Sequence, residues 1–179
     1  MPNPNPIYFD HVSSTPVHPE VIKTQNELIP IHYANSEALH DAGHRIAEMV
    51  EKSRESIAQL LHIKPEMITF TSGATESNNA IIKGIAFANV EKGKHLITTS
   101  VEHSSVLESF KQLEEEFGFE VTYLSVDQDG RISPEGLKMA LRPDTTLVSI
   151  MHVNNEIGTI MPIADCAKII RQNSTAYFH

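Results

Sequence analysis

The sequence predicts an α/β fold, with three layers in which a mostly parallel sheet carries helices on both faces. Two observations lead to this prediction. From residue 67 onward, short runs of strand length alternate with longer segments whose apolar residues recur at the helical period. One run, 145–151, is of the kind found in strands that are covered on both faces. Strands that alternate with helices are typical of a parallel sheet, because each crossover helix returns the chain to the same edge.

The amino-terminal part is predicted to be mainly helical. After an Asn-Pro arm, residues 7–9 read as a brief strand. Pro19–Leu28 predicts a first helix, since proline is favoured at a helix start. Apolar or small side chains recur at helical spacing over 36–62, which predicts a long helix with one stripe to bury.

The remaining elements alternate along the chain. The predicted strands are 67–70, His95–Thr99, Glu120–Leu124 and 145–151. The predicted helices are 75–90, Ser104–Phe117, a helix that starts at 133–135, and 162–172. Gly118 closes the second of these helices, and 127–130 reads as a turn. Residues 175–179 read as the opening of another strand, so we expect the chain to be truncated.

Composition limits the possible classes of function. The chain has 179 residues, 40% hydrophobic and 21% charged, which suits one globular domain. We expect an arm over residues 1–15 and an incomplete domain over 16–179.

The net charge of −9 argues against a nucleic-acid partner, and no run has the length and apolarity of a membrane span. A single cysteine, Cys166, excludes an internal disulfide framework and suits a reducing cytoplasm. The first residues lack the basic and apolar regions of a signal peptide.

The segment 71–79 joins a predicted strand to a predicted helix through a turn at Gly73. The first amides of a helix lack intrahelical acceptors and lie at the positive end of its dipole, so this order of elements builds an anion site. The hydroxyls of Ser72, Thr75 and Ser77 can add hydrogen bonds. The same residue types also serve as ordinary helix caps, and neither glycine motif of nucleotide loops is present. Phosphate binding and plain capping are both open at this point.

Three loops follow predicted strands, at 73–77, 101–104 and 153–158. Ligands of such sheets bind at the carboxyl ends of the strands, so we expect these loops to converge on one crevice. The second loop contains His103, a residue type suited to proton transfer, although a lone histidine is more often structural. The third loop contains Asn154, Asn155 and Glu156, whose polar groups can orient a ligand.

Together these stretches resemble the cysteine desulfurase family, whose members are pyridoxal-phosphate enzymes of the aspartate aminotransferase fold. The matching segments are Tyr8-Phe9-Asp10 with Thr15-Pro16, Asn35-Ser36 with His40 and Gly43, the loop 70–77, Val101-Glu102-His103, and the run 151–158. The resemblance implies the large domain of a fold-type I PLP enzyme, truncated here, and pyridoxal 5'-phosphate as cofactor.

The resemblance also implies roles for individual residues. Ala74 and Thr75 look like the residues that hold the cofactor phosphate. His103 looks like the catalytic histidine that stacks on the pyridine ring and takes part in proton transfer. Asn155 looks like the amide that contacts the cofactor's phenolic oxygen and helps to seat the substrate.

The implied activity is removal of sulfur from L-cysteine, giving L-alanine and an enzyme persulfide for iron–sulfur cluster or thio-cofactor synthesis. The implied partners are a second copy in a homodimer and a sulfur-acceptor protein such as an iron–sulfur scaffold, with no nucleic acid and no membrane. The family's aspartate, glutamine, cofactor-bearing lysine and persulfide-carrying cysteine would lie beyond His179. Cys166, on the last predicted helix, reads as a buried structural thiol. We therefore expect this fragment alone to be inactive.

Three alternatives stay open. His40 and His44 with Asp41 resemble a zinc-protease pattern, but Asp replaces the usual Glu and no third ligand is evident. The chain as it stands can also be a non-catalytic pseudoenzyme or dimerisation fragment. Departures from the family pattern at residues 11–14, Ser36 and Met161 leave a selenocysteine lyase-like parent possible.

Overall fold

The computed structural model describes residues 7–179. The chain divides into two compact units, one ending at Phe70 and the other running from Thr71 to His179. The first six residues of the predicted arm lie outside the described part, and the division into 1–15 and 16–179 stays a prediction. None of the helices within the described residues is long and apolar enough to cross a membrane.

The first unit contains helix α1, Pro19–Leu28, helix α2, Asp41–Leu61, and a 3-10 turn, Pro65–Met67. Helix α1 has the predicted bounds. Helix α2 starts five residues later than predicted, at Asp41 rather than 36, because Asn35 and His40 stop it. The Asn35 side chain accepts from the amide of Glu37 at 2.9 Å in a separate turn, and His40 then caps the helix proper.

Neither strand predicted in this unit forms. Residues 7–9 and 68–70 have no ladder partner within the described chain, and Met67 ends the 3-10 turn. Ile68 is extended (φ −104°, ψ 127°), but its carbonyl accepts from the guanidinium of Arg54 on α2. The same guanidinium lies 5.0 Å from the ring centroid of Phe70. The prediction of a strand at 67–70 is therefore wrong in this structure, because an extended segment becomes a strand only when a second strand pairs with it.

The first unit buries little of its apolar surface. Of the residues in its two α-helices, Gly43 and Ala58 are buried. Large exposed apolar side chains in this unit include Val21, Ile22, Leu28, Ile29, Ile31, Tyr33, Leu39, Leu60 and Leu61. A unit with so small a core depends on other surfaces to cover these side chains.

The second unit contains the sheet and four helices. Its strands are β1, His95–Thr99, β2, Glu120–Leu124, β3, Thr145–Val148, and β4, Tyr177–Phe178. Its helices are α3, Ala74–Ala88, α4, Ser104–Phe117, α5, Pro134–Ala140, and α6, Ile163–Asn173. All pairs are parallel and the strand order is β2-β1-β3-β4, which confirms the predicted parallel sheet. Strand β3 is shorter than the predicted 145–151, although Ser149 still donates its amide to Ile97 O of β1 and Ile150 donates to His179 O, just after β4.

Helices cover both faces of the sheet, as predicted. Leu96 of β1 packs in one core with Phe110 of α4, whereas its neighbour Ile97 packs in the other core with Leu137 of α5. Successive side chains of a strand point to opposite faces of the sheet, so one strand contributes side chains to both cores. Gly118 ends α4 in the left-handed conformation (φ 67°), which glycine adopts without strain. The carboxyl ends of the strands therefore lie between two fixed helical layers.

Candidate functional site

The first turn of α3 presents free backbone amides. Gly73 is the N-cap of this 15-residue helix and supplies no side-chain cap, and the first helical bond runs from Ser77 N to Gly73 O at 3.1 Å. The amides of residues 74–76 have no acceptor within the described chain, and these residues are exposed. Space beside Gly73 is open, with no heavy atom within 4 Å of an added Cβ. This geometry suits an anion.

The Glu76 side chain is hydrogen-bonded to Ser72 rather than to the free amides of this turn. Its Oε2 accepts from both the amide and the hydroxyl of Ser72, each at 2.6 Å, and these two bonds lower the pKa of the Glu76 carboxyl. The hydroxyls of Thr71 and Ser77 lie 2.8 Å apart and close the other side of the loop. The loop is therefore held by its own side chains, while the amides of 74–76 stay free.

His103 is the N-cap of α4. Its Nδ1 accepts from the amide of Ser105 at 3.1 Å and lies 2.9 Å from the Ser105 hydroxyl. An Nδ1 that accepts from a backbone amide carries no proton, so the neutral imidazole has its proton on Nε2. Nε2 has no partner among residues 7–179. Nε2 is thus the ring nitrogen that the helix cap leaves free.

Helices α3 and α4 are joined beside this histidine. The side-chain amide of Asn78 donates to Ser105 Oγ at 2.8 Å, so Ser105 accepts from α3 and can donate to His103. The link connects the helix that begins at the first loop with the helix that begins at the second. It fixes the first turn of α3 relative to His103 through one shared hydroxyl.

Asn154 and Asn155 are neighbours with opposite environments. Asn154 is 7% exposed; its Nδ2 donates to Val101 O at 3.0 Å, and its Oδ1 accepts from the amides of Glu156 and Ile157. Asn155 is exposed, and its side chain makes no hydrogen bond within the described part of the chain. Asn154 therefore holds the loop, and Asn155 has a free amide group.

The turn at 127–130 supports this third loop from outside. Thr159 Oγ1 donates to Asp129 O at 2.7 Å. Gly130 has a φ of 76°, and a Cβ there would stand 2.6 Å from the end of the Ile157 side chain. Glycine meets both requirements at once, because it adopts a positive φ readily and has no side chain to collide.

A cavity of about 310 Å³ opens at the carboxyl ends of the strands. It is lined by Asn78, Glu102, His103, Val106, residues 149–152 and His179. Thr75 lines a separate groove of similar volume between α3 and α4, together with Asn79 and Ser105. Ala74 and Asn155 line neither. Of the residues predicted for the site, His103 thus lies in this cavity, while Thr75 and Ala74 lie on the turn that precedes Asn78.

Glu102 is a feature that the sequence reasoning missed. It is 8% exposed, and its Oε1 accepts from Thr99 Oγ1 at 2.9 Å and from the amide of Met151 at 2.8 Å. Burial raises the pKa of this carboxyl, while the two hydrogen bonds act in the opposite direction. Its position next to His103 was the available signal, since a carboxylate in the loop that follows a buried strand needs partners within the fold.

The model of the aminotransferase class-V family matches residues 7–179. The chain belongs to this family. Cysteine desulfurase IscS of Psychromonas ingrahamii is 50% identical over 175 residues, which cover 96% of this chain and 43% of that protein. A solved structure described as a NifS-like protein has a TM-score of 0.92 at 37% identity, covering 97% of this chain and 48% of that one.

A second solved structure, described as SspA in complex with cysteine, has a TM-score of 0.89 at 41% identity. It covers 96% of this chain and 49% of that one. The class-V chain therefore spans less than half the length of these relatives. The resemblance to cysteine desulfurases and the predicted fold class are both confirmed.

The remaining candidates have structural roles in this class-V chain. His40 Nδ1 accepts from the amide of Gly43 at 3.2 Å, so this ring caps α2. No group of three or more potential metal ligands was found among residues 7–179. Cys166 is fully buried on α6, and burial is the first cause that raises the pKa of its thiol, ahead of the nearby Asp165. A buried, protonated thiol is a poor nucleophile, which agrees with its predicted structural role.

Proposed function

We propose that this chain is the amino-terminal, cofactor-binding half of a pyridoxal-phosphate-dependent cysteine desulfurase. The observation that carries the proposal is the combination, in one unit, of a free helix N-terminus at residues 74–76 and a histidine with a free Nε2 beside a cavity. The similarity to IscS and to the cysteine-bound SspA supports the same conclusion.

The residues present fit the cofactor's phosphate. The amides of Ala74 and Thr75 are exposed, unpaired and at the positive end of a long helix, and the Thr75 hydroxyl stands beside them. The tie between Glu76 and Ser72 occupies the carboxylate that would otherwise compete for these amides. Ala74 and Thr75 would therefore hold the phosphate.

His103 would take part in proton transfer. When bound, pyridoxal phosphate supplies an electron sink for bond cleavage at the α carbon of an amino acid. The His103 cap keeps Nδ1 engaged with Ser105, so Nε2 is the ring nitrogen left free to hydrogen-bond a bound group. Asn155, exposed next to the buried anchor Asn154, would contact the cofactor's phenolic oxygen and the substrate.

L-cysteine is the proposed substrate, with L-alanine and a protein persulfide as products. A homodimer would cover the exposed apolar residues of the first unit, where an apolar groove of about 260 Å³ runs between α1 and α2. A sulfur-acceptor protein such as an iron–sulfur scaffold would then receive the sulfur.

The 179-residue chain by itself has a different proposed role. Its one cysteine is Cys166, which is buried and therefore not available to accept sulfur. By itself the chain would bind phosphate or the cofactor weakly and would not turn over cysteine. This is the specific observation that favours a non-catalytic role for the isolated polypeptide.

The test is to supply the full-length gene product with pyridoxal phosphate, L-cysteine and excess dithiol. We expect one alanine and one sulfide per cysteine consumed, with the dithiol oxidised to its disulfide, and no product from the 179-residue chain alone. Absence of alanine from the full-length protein would refute the proposal. A higher kcat/KM with L-selenocysteine than with L-cysteine would assign the lyase class instead.

A further inference from the structure

The loops that contain His103 and Asn155 are joined by two hydrogen bonds, each between a side chain of one loop and the backbone of the other. The Glu102 carboxylate, in the loop of His103, accepts from the amide of Met151 at 2.8 Å. The Asn154 side chain, in the loop of Asn155, donates to Val101 O at 3.0 Å. We call these two contacts the loop clamp. They connect residues about 50 positions apart in the chain, across the carboxyl ends of β1 and β3.

Each clamp residue directly precedes a proposed functional residue, Glu102 before His103 and Asn154 before Asn155. Both clamp residues are at least nine-tenths buried, whereas both functional residues are exposed. A buried neighbour that is hydrogen-bonded to a distant loop restricts the backbone of an exposed residue. The clamp therefore limits how far the two functional side chains can move relative to each other.

The two oxygens of the Glu102 carboxylate have different roles. One oxygen, Oε1, takes both hydrogen bonds, from Thr99 and Met151, and Oε2 has no partner within residues 7–179. The residue lines the cavity together with His103 and Met151. Both donors therefore depend on a single acceptor atom, and an amide oxygen can replace that atom.

Resting on the proposed function, we propose that Glu102 is a positioning residue that, with Asn154, sets the spacing between His103 and Asn155 for catalysis. Its contribution is the acceptor atom Oε1 rather than its charge. A displacement of about 1 Å at a reacting group can lower a rate by about a hundredfold, so loss of this atom has a measurable cost.

The experiment uses the full-length protein with pyridoxal phosphate bound. Glu102→Ala removes the acceptor, whereas Glu102→Gln keeps an oxygen that can accept from both Thr99 and Met151. We expect Glu102→Ala to lower kcat by about 10- to 100-fold with a smaller change in KM, and Glu102→Gln to restore most of the loss. Glu91→Ala, at an exposed glutamate outside the cavity, is the matched control and should leave kcat unchanged.

A second variant tests the other half of the loop clamp. Asn154→Asp keeps the oxygen that accepts from Glu156 and Ile157 but removes the donor to Val101. We expect Asn154→Asp to lower kcat as well, and its combination with Glu102→Ala to lower kcat by less than the product of the single effects, because both act on one spacing.

Amide hydrogen exchange provides a readout that does not depend on activity. The Met151 amide should exchange faster in Glu102→Ala than in wild type and should stay protected in Glu102→Gln. Equal damage from both substitutions, or an unchanged kcat in Glu102→Ala, would overturn the positioning role. If the wild type itself makes no alanine while Met151 exchange responds as expected, the proposed function fails and the loop clamp stands.

Discussion

Titratable side chains at the two ends of the same sheet differ in how many of their polar atoms are hydrogen-bonded. At the amino end, His95 starts β1 and is 1% exposed. Its Nδ1 lies 2.7 Å from Thr145 Oγ1 and its Nε2 lies 2.8 Å from Thr122 Oγ1. Burial lowers the pKa of His95, ahead of the effect of nearby Arg142. Every polar atom of this ring is used within the fold.

At the carboxyl end of the sheet, two polar side-chain atoms have no hydrogen-bond partner among residues 7–179. His103 uses Nδ1 for its cap and has a free Nε2, and Glu102 uses Oε1 and has a free Oε2. Glu102 and His103 line the cavity at this end, and His95 is not among the residues that line it. The comparison teaches that a functional site is marked by polar groups that are held in place and still have bonding capacity. A buried polar residue by itself does not indicate function.

The largest expected effect is at the carboxyl end. In the full-length protein, His103→Ala should lower kcat by about 100- to 10,000-fold, because it removes the proton-transfer group, and it should weaken cofactor binding far less. Steady-state kinetics with L-cysteine and a cofactor titration measure the two effects separately.

The matched control is the histidine at the other end. His95→Gln keeps groups that can donate and accept hydrogen bonds, and it should leave kcat nearly unchanged. Similar losses of kcat in both variants would remove the distinction between the two ends.

The next largest expected effect is on the stability of the fold and comes from His95, at the amino end of the sheet. The folded state lowers the pKa of His95 below its ordinary value of 6.5, so the unfolded chain binds more protons between those two pKa values. The contribution of neutral His95 is therefore complete above pH 6.5 and is lost as the pH falls through the folded pKa. We expect the urea midpoint to fall on acidification from pH 7 and the fall to be smaller in His95→Gln.

Burial also lowers the pKa of His179, so the difference between variants is the relevant quantity. His44→Gln, at an exposed position on α2, should keep the wild-type pH dependence. A pH dependence that is the same in His95→Gln and wild type would show that the buried ring does not control acid stability.

The smallest expected effect is on binding of the cofactor phosphate. Thr75→Val removes one hydroxyl and leaves the helix amides, so cofactor affinity should fall by about tenfold, equivalent to about 1.4 kcal/mol for one hydrogen bond. Fluorescence titration of the full-length apoprotein measures it. Thr175→Val, at an exposed threonine before β4, is the isosteric control. Equal affinity in wild type and Thr75→Val would remove this residue from the phosphate site.

Local signals predicted most helices well. Helices α1 and α4 have the predicted bounds, since proline at position 19 and glycine at position 118 mark a start and an end that depend on a few neighbouring residues. The strand predicted at 67–70 fails for the opposite reason, because it requires a partner far along the chain. The site residues divide in the same way: His103 stood out as a residue type, whereas Glu102 became visible only through Thr99 and Met151.

The sequence by itself determined the order of helices and strands from α3 onward, the parallel sheet, the family and the glycine turn that opens α3. These depend on periodicity, capping and motif spacing, all of which are local. The tertiary structure alone decided which polar atoms are used and which are free: Asn154 is buried and Asn155 exposed, and Oε1 of Glu102 is bonded while its Oε2 is not. Hydrogen bonds between distant residues make that choice, and their partners are brought together only when the strands align.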